Sequence, residues 1–114
     1  MVVINVERKI IDQAELLAIL HRFKQKLQEE KIPFSDVYLF GSYANGEADR
    51  DSDIDIAVVL PSNISEEIKD KLGDIWNWAK DIHIKNEVHI LSTGDMENRY
   101  LSLPFYVKKY GFRV

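Results

Sequence analysis

The chain has 114 residues, of which 46% are hydrophobic and 30% charged, and its formal net charge at pH 7 is −4. This length and balance are typical of one globular domain, which we expect to span residues 1–114. The acidic balance disfavours a nucleic-acid partner, because proteins that bind the phosphate backbone cluster many lysines and arginines. The sequence contains no cysteine, no secretory signal pattern and no apolar run long enough for a membrane helix, so we expect a cytoplasmic protein with no membrane partner.

The first half of the chain predicts one helix and two strands. Apolar residues recur at three- and four-residue steps from Asp12 to Leu27, which is typical of an amphipathic helix, and the helix should end before Pro33. Residues 37–40 and 54–60 are short, continuous apolar runs bounded by turn-forming residues. Such runs indicate buried strands.

The next segment predicts a second amphipathic helix and a third strand. The helix covers residues 68–80, with Trp76 on its apolar face and Trp78 towards its polar face. Residues 82–91 alternate between apolar and polar side chains, which predicts a strand.

The C-terminal segment is less regular. Residues 92–94 are interpreted as a loop, and Pro104 restricts the last helix to residues 105–110. Helices interleaved with strands predict an α/β or α+β fold, in which helices cover a small mixed β-sheet.

The segment between the first two strands contains the candidate chemistry. Gly41 and Ser42 directly follow the first strand, where glycine lets the backbone approach phosphate oxygens and serine adds a hydroxyl. Asp53 and Asp55 stand at the start of the second strand. Because side chains alternate along a strand, both carboxylates should point to one face, with Cα atoms about 6.6 Å apart. Such a pair suits Mg²⁺ or Mn²⁺ and displacement at phosphorus.

Two plainer interpretations compete with this one. An acidic run that begins at Glu47 could be a solvated loop, which accounts for Asp49 and Asp51. It does not account for Asp55, because an ionised carboxylate in an apolar strand needs a partner or a metal. A glycine–serine pair can also be a simple strand-ending turn.

Gly41-Ser42, ten intervening residues and then Asp53-x-Asp55 resemble the signature of the DNA polymerase β-like nucleotidyltransferase superfamily. The short chain is similar to the minimal, MNT-type members. The resemblance implies the nucleotidyltransferase fold, a nucleoside triphosphate substrate and Mg²⁺ or Mn²⁺ as cofactor. It also implies transfer of a nucleoside monophosphate, in the first place AMP from ATP, to a hydroxyl group.

Members of this superfamily use a third carboxylate on a later strand. Glu87 is the candidate, because it lies on the polar face of the third predicted strand, whereas His89 in that place would weaken the metal site. The implied catalytic and metal-binding residues are Asp53, Asp55 and Glu87. The implied nucleotide-binding residues are Gly41, Ser42 and Asn45, although many minimal members carry arginine where Asn45 stands.

The resemblance also implies a partner. Minimal members often accompany a helical HEPN protein in a two-gene toxin–antitoxin module, and a tyrosine hydroxyl of that partner is then the expected acceptor. The alternative is a catalytically weak or inactive binding module that neutralises a HEPN partner by contact, which Asn45 and the open choice between Glu87 and His89 favour. A small-molecule or RNA acceptor would call for a further domain or a larger basic surface. The sequence leaves the formation of a homo-oligomer open.

Overall fold

The computed structural model describes residues 10–114, in which helices and strands alternate along the chain. The elements are α1 (Gln13–Glu29), β1 (Asp36–Phe40), α2 (Ser42–Asn45), β2 (Ile54–Leu60), α3 (Glu66–Ile82), β3 (Asn86–Ser92), α4 (Thr93–Glu97), α5 (Ser102–Tyr110) and β4 (Phe112–Arg113). Among these helices, none has the length and apolarity that crossing a membrane requires.

The strands form one mixed sheet in the order β3-β2-β1-β4. β1 is antiparallel to both of its neighbours, whereas β2 and β3 are parallel and are connected through α3. A parallel pair needs such a crossover, because its strands run in the same direction and cannot be joined by a tight hairpin. The predicted fold class, a small mixed sheet covered by helices, is confirmed.

Helices cover the two faces of the sheet unequally. On one face, the long helices α1 and α3 bury Phe23 and Ile75 against Ile56 and other aliphatic side chains of the strands. On the opposite face, the short helix α5 packs Val107 against a smaller cluster around Phe40. Burial of apolar area on both faces stabilises the sheet, but the smaller cluster leaves the end of the second face near the start of β2 uncovered.

The boundary between α3 and β3 differs from the prediction. The helix continues to Ile82 and the strand begins only at Asn86, so the strand predicted from residue 82 was wrong in its first part. Asn86 is fully buried, and its side-chain amide donates a 2.9 Å hydrogen bond to the carbonyl of Ala79 in the last turn of α3. Ile84, which completed the apparent alternation, is exposed in the connecting turn.

The C-terminal elements also differ from the prediction. Residues 92–94, expected as a loop, contain the start of α4, because Ser92 and Asp95 form a reciprocal capping box. The last helix begins at Ser102 and includes Pro104 in its first turn, where a missing N–H costs nothing. The short strand β4, which pairs with Tyr38 and Leu39 of β1, was not predicted.

The two tryptophans exchange their predicted environments. Trp76 is 43% exposed, whereas Trp78 packs against the main core with the ammonium of Lys26 5.4 Å from its ring. The assignment of the two tryptophans was wrong because α3 packs against α1 as well as against the sheet, and the side of α3 that carries Trp78 faces Lys26 of α1. Trp76 instead donates its indole N–H to the carbonyl of Val88 at 2.8 Å and so partly covers the edge of β3.

The main core predicts a large effect for its central aromatic residue. Phe23 is fully buried under the sheet, so Phe23→Ala should lower the free energy of unfolding by about 3–5 kcal/mol through lost burial and the cavity left behind. Arg22→Ala, at the exposed neighbouring position, is the control and should change it by less than about 0.5 kcal/mol. Urea unfolding followed by circular dichroism measures both, and equal losses would contradict this account of the core.

Candidate active site

Strand register brings Asp55, Glu87 and His89 together at the uncovered end of the second face of the sheet. We call this place the corner. Asp55 of β2 pairs with Phe40 of β1 on one side and with Glu87 of β3 on the other. Two residues further along β3, His89 pairs with Ala57 of β2. In a parallel pair, directly opposed residues point to the same face, so these side chains share the face on which α5 packs. Donor atoms of Asp55, Glu87 and His89 all lie within 4.8 Å of one another.

The choice between Glu87 and His89 does not arise in the structure, because β3 presents both. The two residues are separated by one position and therefore point to the same face. His89 Nε2 lies 3.7 Å from Asp55 Oδ1 and is buried, with no hydrogen-bond partner in the described part of the chain. The ring of Phe40 contacts the imidazole of His89 in an edge-on arrangement, with 5.1 Å between ring centroids.

Asp53 lies beside this cluster. It is exposed in the residues just before β2, and within residues 10–114 the compact set of donor atoms comprises only the other three residues. The pKa of Glu87 is raised, first because its carboxyl group hydrogen-bonds to that of Asp53. The predicted set of Asp53, Asp55 and Glu87 is thus gathered at one corner, and His89 joins it.

The loop that precedes β2 is held by hydrogen bonds. The carboxylate of Asp49 accepts the amide N–H of Asp51 at 2.8 Å, and the amide of Asp49 donates to the hydroxyl of Ser52 at 2.9 Å. From the start of β3, the ammonium of Lys85 donates to the carbonyls of Arg50 and Ser52. Asp49 therefore shapes the loop that presents Asp53, and the sequence contained no signal for the contribution of Lys85.

Gly41 lies directly against a carboxylate of the cluster. Its φ of +76° is in the left-handed region, and a Cβ at this position would lie 2.2 Å from Asp55 Oδ2. Glycine is therefore required both by the backbone conformation and by the close approach. The turn at Gly41 and Ser42 adjoins the carboxylates, so the candidate phosphate-binding segment and the candidate metal ligands occupy one corner.

The other candidate nucleotide-binding residue stands further along α2. Asn45 is exposed, and its side-chain oxygen accepts the amide N–H of Glu47 at 3.1 Å. This local bond helps to end the helix at Gly46, which has a φ of +79°. The carboxamide oxygen of Asn45 is thus engaged in a turn, and this bond does not use the two N–H donors of the side chain.

The electrostatics of the corner oppose the accumulation of negative charge. Burial raises the pKa of Asp55 above its ordinary 3.8, and the charge of Asp53 adds to the rise, while His89 acts in the opposite direction. The pKa of Glu87 is raised first by its hydrogen bond to Asp53, then by burial and by the charges of Asp53 and Asp55. A cation placed between these groups would relieve the repulsion.

The donor set fits a divalent cation. Two donors that share an ion with bonds of about 2.1 Å lie at most about 4.2 Å apart, and the 3.7 Å separation of His89 and Asp55 satisfies this limit. The largest separations in the cluster, up to 4.8 Å, require only small side-chain rotations. Asp55, Glu87 and His89 could therefore hold one ion, with Asp53 next to it.

Comparison with known proteins identifies relatives over most of the chain. Residues 19–103 match the family model of the nucleotidyltransferase domain. Two proteins of Methanocaldococcus jannaschii, named as candidate protein adenylyltransferases, are each 34% identical over 80 residues, which is 67% of this chain and 81% of theirs.

Solved structures share the fold. A candidate nucleotidyltransferase from Sulfolobus solfataricus matches with a TM-score of 0.59 and 20% identity, over 89% of this chain and 80% of that one. A toxin–antitoxin structure with AMP-PNP matches with a TM-score of 0.51 and 25% identity, over 81% of this chain and 69% of that one. The complex of a tri-AMPylated Shewanella oneidensis HEPN toxin with its MNT antitoxin matches with a TM-score of 0.51 and 18% identity, over 86% and 70%.

The contact between Gly41 and Asp55 predicts a specific defect. Gly41→Ala and Gly46→Ala both place a side chain at positive φ. Gly46 is in the left-handed helical region, where a side chain costs about 1–2 kcal/mol. Gly41, with a ψ of −156°, is in a region that is essentially restricted to glycine, so Gly41→Ala should cost more. Only Gly41→Ala displaces the carboxylate, because no described atom lies within 4 Å of a Cβ at Gly46. We therefore expect divalent cation to raise the melting temperature of wild type and Gly46→Ala but not of Gly41→Ala, and equal rises in the two variants would contradict this role of Gly41.

The raised pKa of Asp55 predicts a pH-dependent stability difference. In metal-free buffer at pH 7, Asp55→Asn should melt at a higher temperature than wild type, because the charged form is disfavoured only in the folded state. The gap should shrink as the pH falls towards 3.8, where the carboxyl group becomes protonated in both states. Asp70→Asn, exposed on α3, is the control. Calorimetry in the presence of EDTA measures the gap, and one that widens on acidification would refute the prediction.

Proposed function

Because the chain belongs to the nucleotidyltransferase-domain family, we propose that it transfers a nucleoside monophosphate, AMP from ATP in the first place, to the hydroxyl group of a protein. The observation that carries this proposal is the convergence of Asp55, Glu87 and His89 beside the turn at Gly41. The names of the M. jannaschii relatives and the AMP-PNP in one similar structure support the choice of adenylate and of a protein acceptor.

The residues of the corner have different roles in the proposed reaction. The turn of Gly41 and Ser42 receives the β- and γ-phosphates, and the carboxylates of Asp53, Asp55 and Glu87 hold the divalent cation. When bound, that cation neutralises charge on the phosphate oxygens and aligns the displacement. The acceptor oxygen attacks the α-phosphorus, the bond from the α-phosphorus to the bridging oxygen breaks, and pyrophosphate leaves. The hydroxyl proton passes to water, because the three carboxylates are engaged with the cation.

We further propose a helical HEPN-type protein as the partner and one of its tyrosines as the acceptor. The fold shared with the MNT antitoxin of the AMPylated HEPN complex supports this choice. A suitable surface lies next to the corner, because Tyr106 of α5 contacts Phe40, whose ring in turn contacts His89. On the outer side of α5, Phe105 and Tyr110 are more than half exposed. A partner seated there would bring its hydroxyl close to the carboxylates.

A binding module without efficient catalysis is the second candidate. The observation that favours it is the uncharged carboxamide of Asn45, at an exposed position of α2 where a positively charged side chain would attract a triphosphate. Such a module would neutralise the same helical partner by contact alone. Its complex would form equally well without nucleotide and metal.

The two candidates predict different results when the chain is given α-labelled ATP, a divalent cation and a helical HEPN-type protein. Wild type should transfer label to a tyrosine of that protein, and Asp55→Asn should reduce the rate about 100-fold or more, because preorganised charge at the reacting phosphate is lost. Asp51→Asn removes a charge from the same loop outside the cluster and is the matched control. It should retain nearly full activity.

Two other results of the same experiment would contradict the proposed transfer reaction. Label transfer that persists undiminished in both Asp53→Asn and Asp55→Asn would exclude this corner as the catalytic site. No transfer by wild type, together with a stable complex that tolerates both substitutions, would establish the binding module instead.

A further inference from the structure

One ligand of the corner is a nitrogen donor. Asp55 and Glu87 offer carboxylate oxygens, whereas His89 offers the imidazole Nε2, and all three donor atoms lie within 4.8 Å of one another. The rings of Phe40 and His89 pack in an edge-on arrangement, and Nε2 lies 3.7 Å from Asp55 Oδ1. The site on this chain therefore combines two hard oxygen donors with one softer nitrogen.

The surroundings of Nε2 suit a metal ion. This nitrogen is buried, and the residues from 10 to 114 supply it with no hydrogen-bond partner. Its 3.7 Å separation from Asp55 Oδ1 exceeds the 2.7–3.2 Å of a hydrogen bond, so the two groups do not satisfy each other. Buried polar atoms without a partner are costly, and water or a bound ion can satisfy them. An ion between Nε2 and Oδ1 would satisfy both atoms.

Nitrogen and oxygen donors select different ions. Mg²⁺ binds oxygen almost exclusively and keeps several of its waters, whereas imidazole suits the first-row transition metals. Mn²⁺ suits carboxylate oxygens as Mg²⁺ does, but as a first-row transition metal it also binds sites that contain a nitrogen donor, although more weakly than the later metals of the series. Of the two ions that the carboxylates suit, only Mn²⁺ also gains from His89.

We propose that His89 makes this corner selective for Mn²⁺ over Mg²⁺ by coordinating the ion through Nε2. This inference rests on the proposed function, because it assigns the cation of that same site. It gives His89 the role of a selectivity-determining ligand, in a position where an aspartate would complete an all-oxygen site.

Pulsed electron paramagnetic resonance of the protein with Mn²⁺ alone tests the coordination directly. In wild type we expect the hyperfine coupling of a directly bound ¹⁴N, and this signal should disappear in His89→Asp. His21→Asp makes the same change at an exposed position on α1 and should leave the signal intact. Competition by Mg²⁺ should show that His89→Asp lowers the ratio of Mn²⁺ to Mg²⁺ affinity about tenfold or more. His89→Gln, which also loses the imidazole, replaces His89→Asp if the added charge prevents folding.

The outcomes separate this inference from the function on which it rests. Mn²⁺ that binds without ¹⁴N coupling, or an unchanged affinity ratio in His89→Asp, would overturn the role of His89 and leave the proposed function standing. Failure of wild type to bind either cation in the presence of a triphosphate analogue would overturn both.

Discussion

The parallel pairing of β2 with β3 is the constraint on which the corner depends. It places Glu87 opposite Asp55 and His89 one pair further along the same face. A slip of one residue would move both β3 side chains to the opposite face, under α3, and would dismantle the cluster. Buried Asn86 opposes such a slip, because its side chain is bonded to the end of α3 while its neighbour Lys85 holds the loop before β2. Structural and functional residues therefore alternate along one strand.

The corner concentrates negative charge at a cost to stability. Raised pKa values of Asp55 and Glu87 mean that the folded, metal-free protein resists full ionisation of these groups. The sheet tolerates this because the strand residues beside them, Ile54 and Ile56, are fully buried on the other face. Free energy from the core thus offsets repulsion at the site, which is a common relation between stability and function.

Incomplete coverage of the second face leaves both the site and a neighbouring surface accessible. The short helix α5 covers Phe40 and Leu91 but stops before the carboxylates. Its outer side chains combine exposed aromatic rings with lysines, as in the contact of Lys109 with Phe105 and Tyr110. In an acidic protein with a net charge of −4, such a surface differs from the rest of the molecule and suits contact with a partner.

Local sequence determined much of the fold and marked the candidate site residues. Continuous apolar runs fix β1 and β2, and the turn chemistry of Gly41 with the alternation of Asp53 and Asp55 marks the candidate site, because these features depend on neighbours along the chain. Tertiary structure decided the rest. The end of α3, the exposure of Trp76 and the position of His89 next to Asp55 depend on how helices pack and strands align. Such contacts join residues distant in sequence, so no local pattern specifies them.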